Sequence, residues 1–183
     1  MNITELYKYH CESPSDINEH LPTLRDLASE CSTVTEMGVR WVVSTWGLAE
    51  GRPKKLTSID IQDPIIYNID IEKVAEIIRG EGIDFNFVLA DTTQCDIEET
   101  ELLFIDTWHV YEQLKVELER HGNKATKYLV FHDTVTFADV GETEGHKGLL
   151  PALEEFLEAN PHWKIKIHYG NNNGLLVLER VSA

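Results

Sequence analysis

The chain has 183 residues and a formal net charge of −16 at pH 7, with 42% hydrophobic and 26% charged residues. These values are typical of one globular domain and leave no room for a second domain of ordinary size. A surface this acidic would repel nucleic-acid phosphates and anionic lipid headgroups. The composition therefore predicts no nucleic-acid partner and no membrane partner.

The cysteines indicate the cellular compartment. Cys11, Cys31 and Cys95 are odd in number and form no C-x-x-C pair, which favours a reducing compartment over a disulfide framework. The first ten residues lack the apolar segment of a signal peptide, and no stretch approaches the length of a membrane span. The sequence therefore predicts a cytoplasmic protein.

Residues 1–31 predict a helical extension before the first strand. Ser13 to Asp16 has the pattern of a capping box, and Pro22 suits the first turn of a following helix. Beyond residue 31, apolar β-type runs alternate with amphipathic helical stripes. In chain order we predict a strand 33–37, a helix 41–50, a strand 56–61, a helix 71–78, strands 84–90 and 102–105, a helix 111–122, a strand 128–131 and a helix 149–157.

The C-terminal segment has a different pattern, because no helix separates its last two predicted strands. Residues 163–169 alternate in polarity, Asn171 to Gly174 predicts a turn, and residues 175–178 form another apolar run. Such a pair predicts an antiparallel hairpin. With the preceding alternation, it predicts an α/β fold: a doubly wound, Rossmann-like, mostly parallel seven-stranded sheet with a C-terminal antiparallel hairpin. Ligands bind such sheets at the carboxyl ends of strands.

The ends of the first two predicted strands carry a candidate cofactor site. Gly38 would let the backbone approach a ligand closely, and Asp60, 22 positions later, has the spacing of an acid that binds ribose hydroxyls. The G-x-G-x-x-G pattern of dinucleotide sites is absent, and Glu36 would repel a pyrophosphate but attract a cationic amino group. The alternative interpretation is a plain strand-to-helix turn followed by a surface acid.

A second candidate site follows the fourth and fifth predicted strands. Asp106 comes after the fourth, His132 and Asp133 come after the fifth, and His109 lies one helical turn beyond Asp106. Carboxylates with imidazole suit Mg²⁺ or Mn²⁺, and a histidine can act as a general base. We therefore predict Asp106, His132 and Asp133 as metal ligands, with His109 and Asp106 as catalytic residues. The alternatives are a helix cap for Asp106, a hydrogen-bonded core histidine for His132 and an exposed helix residue for His109.

The candidate cofactor site resembles a known pattern. Glu36-x-Gly38, followed by Ser44 and later by Asp60, resembles motifs I and II of class I S-adenosylmethionine-dependent methyltransferases. The C-terminal hairpin also resembles that fold. One departure is that Val42 lies near the position where the related branch usually carries a second glycine.

Two further segments resemble one branch of these enzymes. Ile105-Asp106-x-x-His109-x-Tyr111-Glu112 and Phe131-His132-Asp133-Thr134 are similar to cephalosporin-hydroxylase-like and macrolide-sugar O-methyltransferases. The resemblance covers roughly residues 31–180. It implies a single S-adenosylmethionine-binding methyltransferase domain over residues 1–183, with residues 1–31 as the N-terminal helical extension.

The resemblance also implies a reaction and a set of binding residues. The reaction is O-methyl transfer to a hydroxylated small molecule or sugar, with S-adenosylmethionine as cofactor and Mg²⁺ as a candidate second cofactor. A nucleotide-dependent Rossmann oxidoreductase and a non-catalytic S-adenosylmethionine-binding module are the alternatives. The small size of the domain favours a homo-oligomer in which a partner completes the pocket. The implied cofactor-binding residues are Glu36, Gly38, Ser44, Asp60 and Asp91. The alternatives are a helix or turn cap for Asp91 and a helix-start residue for Ser44.

Overall fold

The computed structural model describes residues 1–181, which fall into two compact units. The first unit is Met1–Thr92, and the second begins at Thr93. No helix within residues 1–181 has both the length and the apolar character needed to cross a membrane.

The first unit contains three parallel strands in the order β3-β2-β1, together with four α-helices. Val34 of the first strand pairs with Leu56 of the second, and both side chains are buried. Leu24 and Leu48 from the helices are also fully buried. In chain order the elements are α1 (Ile3–Glu12), α2 (Leu21–Ser29), β1 (Thr33–Met37), α3 (Val43–Glu50), β2 (Lys55–Asp60), α4 (Ile71–Gly80) and β3 (Asp84–Leu89).

The N-terminal prediction was partly wrong. The capping box lies at Asn2 and Glu5, whose side chains each accept a hydrogen bond from the other's backbone N–H, and α1 begins there. Ser13 instead caps the end of α1. The Ser15 hydroxyl accepts hydrogen bonds from two backbone N–H groups just after it, which stabilises the turn that leads into a short 3-10 helix, Asn18–His20. Pro22 lies in the first turn of α2, as predicted.

Over residues 93–181, the second unit contains four strands in the order β4-β5-β7-β6 and two α-helices. Strands β4 and β5 are parallel, whereas β7 is antiparallel to both β5 and β6. The predicted C-terminal hairpin is therefore confirmed, as is the fold class: a mostly parallel seven-stranded α/β sheet that ends in an antiparallel hairpin. The elements are β4 (Thr100–Ile105), α5 (Tyr111–His121), β5 (Ala125–His132), α6 (Leu150–Ala159), β6 (Trp163–Tyr169) and β7 (Leu175–Arg180).

Candidate functional site

The carboxylate of Glu36 lies inside the first unit and has no solvent exposure. It accepts hydrogen bonds from the hydroxyls of Ser44 (2.6 Å), Thr45 (2.8 Å) and Ser58 (2.6 Å). A buried carboxylate is tolerated when hydrogen bonds replace the water it loses. Glu36 therefore fixes the end of β1 to the first turn of α3 and to β2.

The loop between β1 and α3, residues 38–42, has an unusual backbone. Gly38, Arg40 and Val42 have φ angles of 86°, 45° and 62°, in the left-handed region. Such angles suit glycine and are strained for a β-branched valine. The glycine that the motif resemblance leads one to expect is thus replaced by Val42, while the backbone keeps a conformation that glycine favours.

Asp60 at the end of β2 orders this loop. Its Oδ2 atom accepts hydrogen bonds from the backbone N–H groups of Val39 (2.7 Å) and Arg40 (3.0 Å), and its Oδ1 atom accepts one from Gln62 (2.8 Å). A carboxylate offers about four lone-pair directions. Among residues 1–181 these bonds use three of them, which leaves one direction for a ligand hydroxyl.

The remaining predicted cofactor residues occupy different settings within the first unit. Ser44 is buried in the first turn of α3, and its hydroxyl is bound to Glu36. Asp91 follows β3 and is half-buried. The N–H of Gly38 donates to the carbonyl of Ile59, the residue before Asp60. The structure thus joins Glu36 with Ser44 and Gly38 with the end of β2, and their binding roles stay predictions.

In the second unit, His109 lies among three carboxylates. Its Nε2 atom is 3.0 Å from Asp106 Oδ1 and 2.9 Å from Asp133 Oδ2, and its Nδ1 atom is 2.9 Å from Glu142 Oε2. The ring also stacks on Phe137, with centroids 5.0 Å apart. Both ring nitrogens therefore face acceptors, which is the environment of a doubly protonated imidazolium.

His132 approaches the same carboxylates from β5. Its Nδ1 atom is 3.3 Å from Asp106 Oδ1 and 3.5 Å from Asp133 Oδ2. Its Nε2 atom donates to the backbone carbonyl of Asn172 in the β6–β7 turn, at 3.1 Å. A carbonyl can only accept, so Nε2 carries a proton and the neutral ring would present a lone pair at Nδ1. Metal-binding histidines are commonly oriented in this way.

The pKa values of these groups are strongly coupled. Burial alone would lower the pKa of His109, but the hydrogen bonds and charges of Asp106 and Asp133 outweigh it and raise the pKa to about 10. For His132, burial likewise lowers the pKa, and the same two carboxylates raise it to about 9. Burial favours the neutral form of Asp106, yet the two imidazolium rings hold the pKa of its carboxyl well below the ordinary range. At neutral pH both histidines are charged.

Sequence reasoning missed the supports of this cluster. Glu142 lies in the polar loop after β5, and the sequence gives no reason to prefer it over the neighbouring acids. Backbone contacts place it, because the N–H of Glu142 donates to the carbonyl of His109 (3.0 Å). Asp133 has a φ of 59°, which turns the chain sharply after β5. A motif of histidine, aspartate and threonine after a buried strand is the one signal that pointed to this turn.

The donor set fits a divalent cation. Ligand atoms of Asp106, His109 and Asp133 lie within 4.8 Å of one another, and His132 Nδ1 lies near the same oxygens. Carboxylate oxygens with imidazole nitrogen suit Mg²⁺ or Mn²⁺. The structure therefore brings together all four residues that the sequence predicted for this site, and their roles as metal ligands or catalytic residues stay predictions.

Comparison with known proteins identifies the fold. No protein-family model matches the chain, and no curated protein sequence matches it. Among solved structures, a protein from Corynebacterium glutamicum is 14% identical, with a TM-score of 0.68 over 99% of this chain and 90% of that one. An O-methyltransferase from Bacillus cereus in complex with S-adenosylhomocysteine is 15% identical, with a TM-score of 0.66 over 97% and 90%.

A third solved structure with a similar fold is a methyltransferase named for a different substrate. The magnesium protoporphyrin IX methyltransferase of Synechocystis, with bound S-adenosylhomocysteine, is 12% identical, with a TM-score of 0.63 over 98% of this chain and 94% of that one. The chain therefore shares its fold with S-adenosylmethionine-dependent methyltransferases over nearly its whole length. At this level of identity, function has to be argued from the residues themselves.

Proposed function

We propose that this chain is an S-adenosylmethionine-dependent methyltransferase that transfers a methyl group to an oxygen atom of a hydroxylated small molecule or sugar. The observation that carries the proposal is the ordering of the loop after β1 by Asp60, at the carboxyl end of β2, in a chain that shares the fold of known methyltransferases. Ligands of doubly wound sheets bind at such strand ends.

The first unit has the chemistry to bind the cofactor. Asp60 keeps one free lone-pair direction for a ribose hydroxyl, and Gly38 has no side chain to block a ligand at the loop. Glu36 holds the end of β1 to α3 and, being buried, would act on the cofactor through the backbone that it positions. Asp91 after β3 is our candidate for the adenine amine. S-adenosylmethionine, when bound, supplies an electrophilic methyl group on a sulfonium.

The second unit has the chemistry to activate an acceptor hydroxyl, whose proton must leave during transfer. His109 Nε2 is the proposed proton acceptor, and Asp106 orients that ring through its 3.0 Å contact. The neighbouring carboxylates raise the pKa of His109 to about 10, so the ring can accept a proton only above neutral pH or when positive charge bound by those carboxylates lowers that pKa. When bound by Asp106, Asp133 and His132, a divalent cation supplies positive charge that lowers the pKa of a hydroxyl.

Ligand-dependent melting tests this function. The melting temperature of the full chain is measured with S-adenosylmethionine, S-adenosylhomocysteine, NADH and NADPH, each with and without Mg²⁺. A ligand at 100 times its Kd stabilises the folded state by about 2.7 kcal/mol. Stabilisation by the two sulfur compounds supports the proposal. Stabilisation by NADH or NADPH alone would show that an oxidoreductase is the better interpretation.

Variants of Asp60 and of an unrelated acid sharpen the test. Asp60→Ala should abolish stabilisation by S-adenosylhomocysteine, because it removes both the hydroxyl acceptor and the bonds to the loop. Asp84→Ala, which removes an exposed acid at the start of β3, should bind like the parent. Equal binding by the Asp60 variant and the parent would contradict the assignment. Incorporation of labelled methyl groups into hydroxylated acceptors then separates an enzyme from a binding module.

A further inference from the structure

The side chain of Arg40 projects from the loop between β1 and α3 and is held in place on two sides. Its guanidinium carbon lies 3.7 Å from the centroid of the Trp41 ring, and its Nη1 atom is 2.9 Å from Oδ2 of Asp16. The Trp41 ring in turn packs edge-on against Tyr67, with centroids 5.8 Å apart. An arginine stacked on an aromatic ring loses little freedom when it binds an anion.

Most of the hydrogen-bonding capacity of this guanidinium is unused. An arginine side chain has five N–H donors. Within residues 1–181, the Asp16 carboxylate is the one group that accepts a hydrogen bond from the Arg40 side chain. The side chain is also half exposed, at 52%. The remaining donors of Arg40 can therefore reach a ligand while the bond to Asp16 is kept.

The acidic residues around the loop explain why a positively charged residue is needed there. Glu36 lies in β1 just before the loop and contacts the first turn of α3, and Asp60 at the end of β2 accepts hydrogen bonds from the loop backbone. Arg40 is the only Lys or Arg between residues 36 and 51. S-adenosylmethionine carries an α-carboxylate, which two neighbouring carboxylates would repel. A positive group on the loop itself offsets that repulsion, and a guanidinium binds a carboxylate through two parallel hydrogen bonds.

We propose that Arg40 binds the α-carboxylate of S-adenosylmethionine and so selects the amino-acid end of the cofactor. Asp16 and the Trp41 ring position the guanidinium for this contact. The assignment rests on the proposed function and deepens it, because it names the cofactor group that the Arg40 side chain binds.

The test compares two ligands that differ in the amino-acid end. S-adenosylhomocysteine carries the carboxylate, whereas 5′-methylthioadenosine is a nucleoside thioether without it. Calorimetry gives the Kd of both for the parent, Arg40→Gln, Arg40→Lys and Arg25→Gln. Arg25 is the matched control, because it also pairs with one aspartate, Asp26, and lies over an aromatic ring, that of Tyr7.

We expect Arg40→Gln to weaken binding of S-adenosylhomocysteine by about tenfold or more, the cost of losing a charged hydrogen bond. Binding of 5′-methylthioadenosine should change by less than about twofold, within ordinary variation for a distant surface change. The affinity of Arg40→Lys for S-adenosylhomocysteine should lie between those of the parent and Arg40→Gln, because lysine keeps the charge but lacks the paired N–H donors of a guanidinium. Arg25→Gln should bind both ligands like the parent.

Two results would overturn the assignment alone. Unchanged S-adenosylhomocysteine binding in Arg40→Gln would show that the side chain makes no contact with the carboxylate. Equal losses of affinity for both ligands would show that Arg40 supports the loop and does not bind the amino-acid end of the cofactor. A parent chain that binds neither thioether would instead refute the proposed function, and the assignment would fall with it.

Discussion

The Nε2 atom of His109 lies 2.9 Å from Oδ2 of Asp133, so a ring just before α5 is joined to the carboxylate that follows β5. Asp106 approaches the same nitrogen at 3.0 Å. A single imidazole N–H shared between two carboxylates offsets their mutual repulsion only while the ring is positively charged. Without a bound cation, the proton on His109 therefore supplies the positive charge that offsets the repulsion between Asp106 and Asp133.

The first prediction concerns the pH dependence of stability in the absence of divalent ions. The pKa values of His109 and His132 are raised to about 10 and about 9, from about 6.5 in an unfolded chain. A raised pKa stabilises the folded state fully below about pH 6.5, and this contribution is lost as the pH rises through 9 to 10. The free energy of unfolding, measured by urea titration in EDTA, should therefore fall across this window.

Histidine variants assign that fall to the cluster. His109→Gln should show a flatter dependence on pH than the parent, because it removes one of the two titrating rings. His162→Gln is the control, since His162 faces the amide oxygen of Asn123. Parallel pH profiles for the parent and His109→Gln would show that the cluster does not hold its proton as the structure indicates.

The second prediction concerns metal binding. Mn²⁺ or Mg²⁺ should raise the melting temperature of the parent, and Asp106→Asn and Asp133→Asn should remove that response. Asp139→Asn, in the same segment but exposed, should keep it. The affinity for Mn²⁺ or Mg²⁺ should increase from pH 6 to pH 9, because the metal ion displaces protons from the side chains that bind it. A metal response that survives in both Asp106→Asn and Asp133→Asn would exclude this cluster as the site.

The fold was predictable because its strands carry unbroken or alternating apolar runs. Strands β1 and β6 were placed to the residue, while β5 extends beyond its apolar run, from 128–131 to Ala125–His132. The added residues pair through backbone groups, and the hydrophobic pattern of the sequence does not predict such pairing. The bounds of helix α1 within the helical extension were not predicted, because its buried face has only three residues, Ile3, Leu6 and Tyr7.

The candidate site was predictable only where topology alone sets positions. Asp106 and Asp133 follow neighbouring parallel strands, so their proximity follows from strand order. The contact of Glu142 with His109 spans 33 positions through an irregular loop, and no periodicity encodes it. Likewise, the stacking of Arg40 on Trp41 depends on left-handed backbone angles that no local residue preference predicts.

The third prediction tests the strain at position 42. Val42 and Val43 are adjacent and buried, but Val42 has a φ of 62° whereas Val43 begins the right-handed helix α3. Val42→Gly loses buried apolar surface and also relieves left-handed strain, which is of order 1–3 kcal/mol. Val43→Gly loses similar surface without relief. By urea denaturation, Val42→Gly should be less destabilising than Val43→Gly by about 1–3 kcal/mol. Equal losses would show that the loop stores no strain there.

The fourth prediction concerns the buried carboxylate that anchors motif I. Glu36→Gln keeps the shape of the side chain but replaces one acceptor oxygen with an NH₂ group, while the hydroxyls of Ser44, Thr45 and Ser58 all donate to Glu36. At least one hydroxyl must reorient or lose its acceptor, at a cost of about 1–3 kcal/mol in the free energy of unfolding. Glu76→Gln on the exposed face of α4 should change it by less than about 0.5 kcal/mol. Urea denaturation of the two variants at pH 7 measures the difference, and a Glu36 variant as stable as the Glu76 variant would mean that these hydroxyls do not depend on the carboxylate.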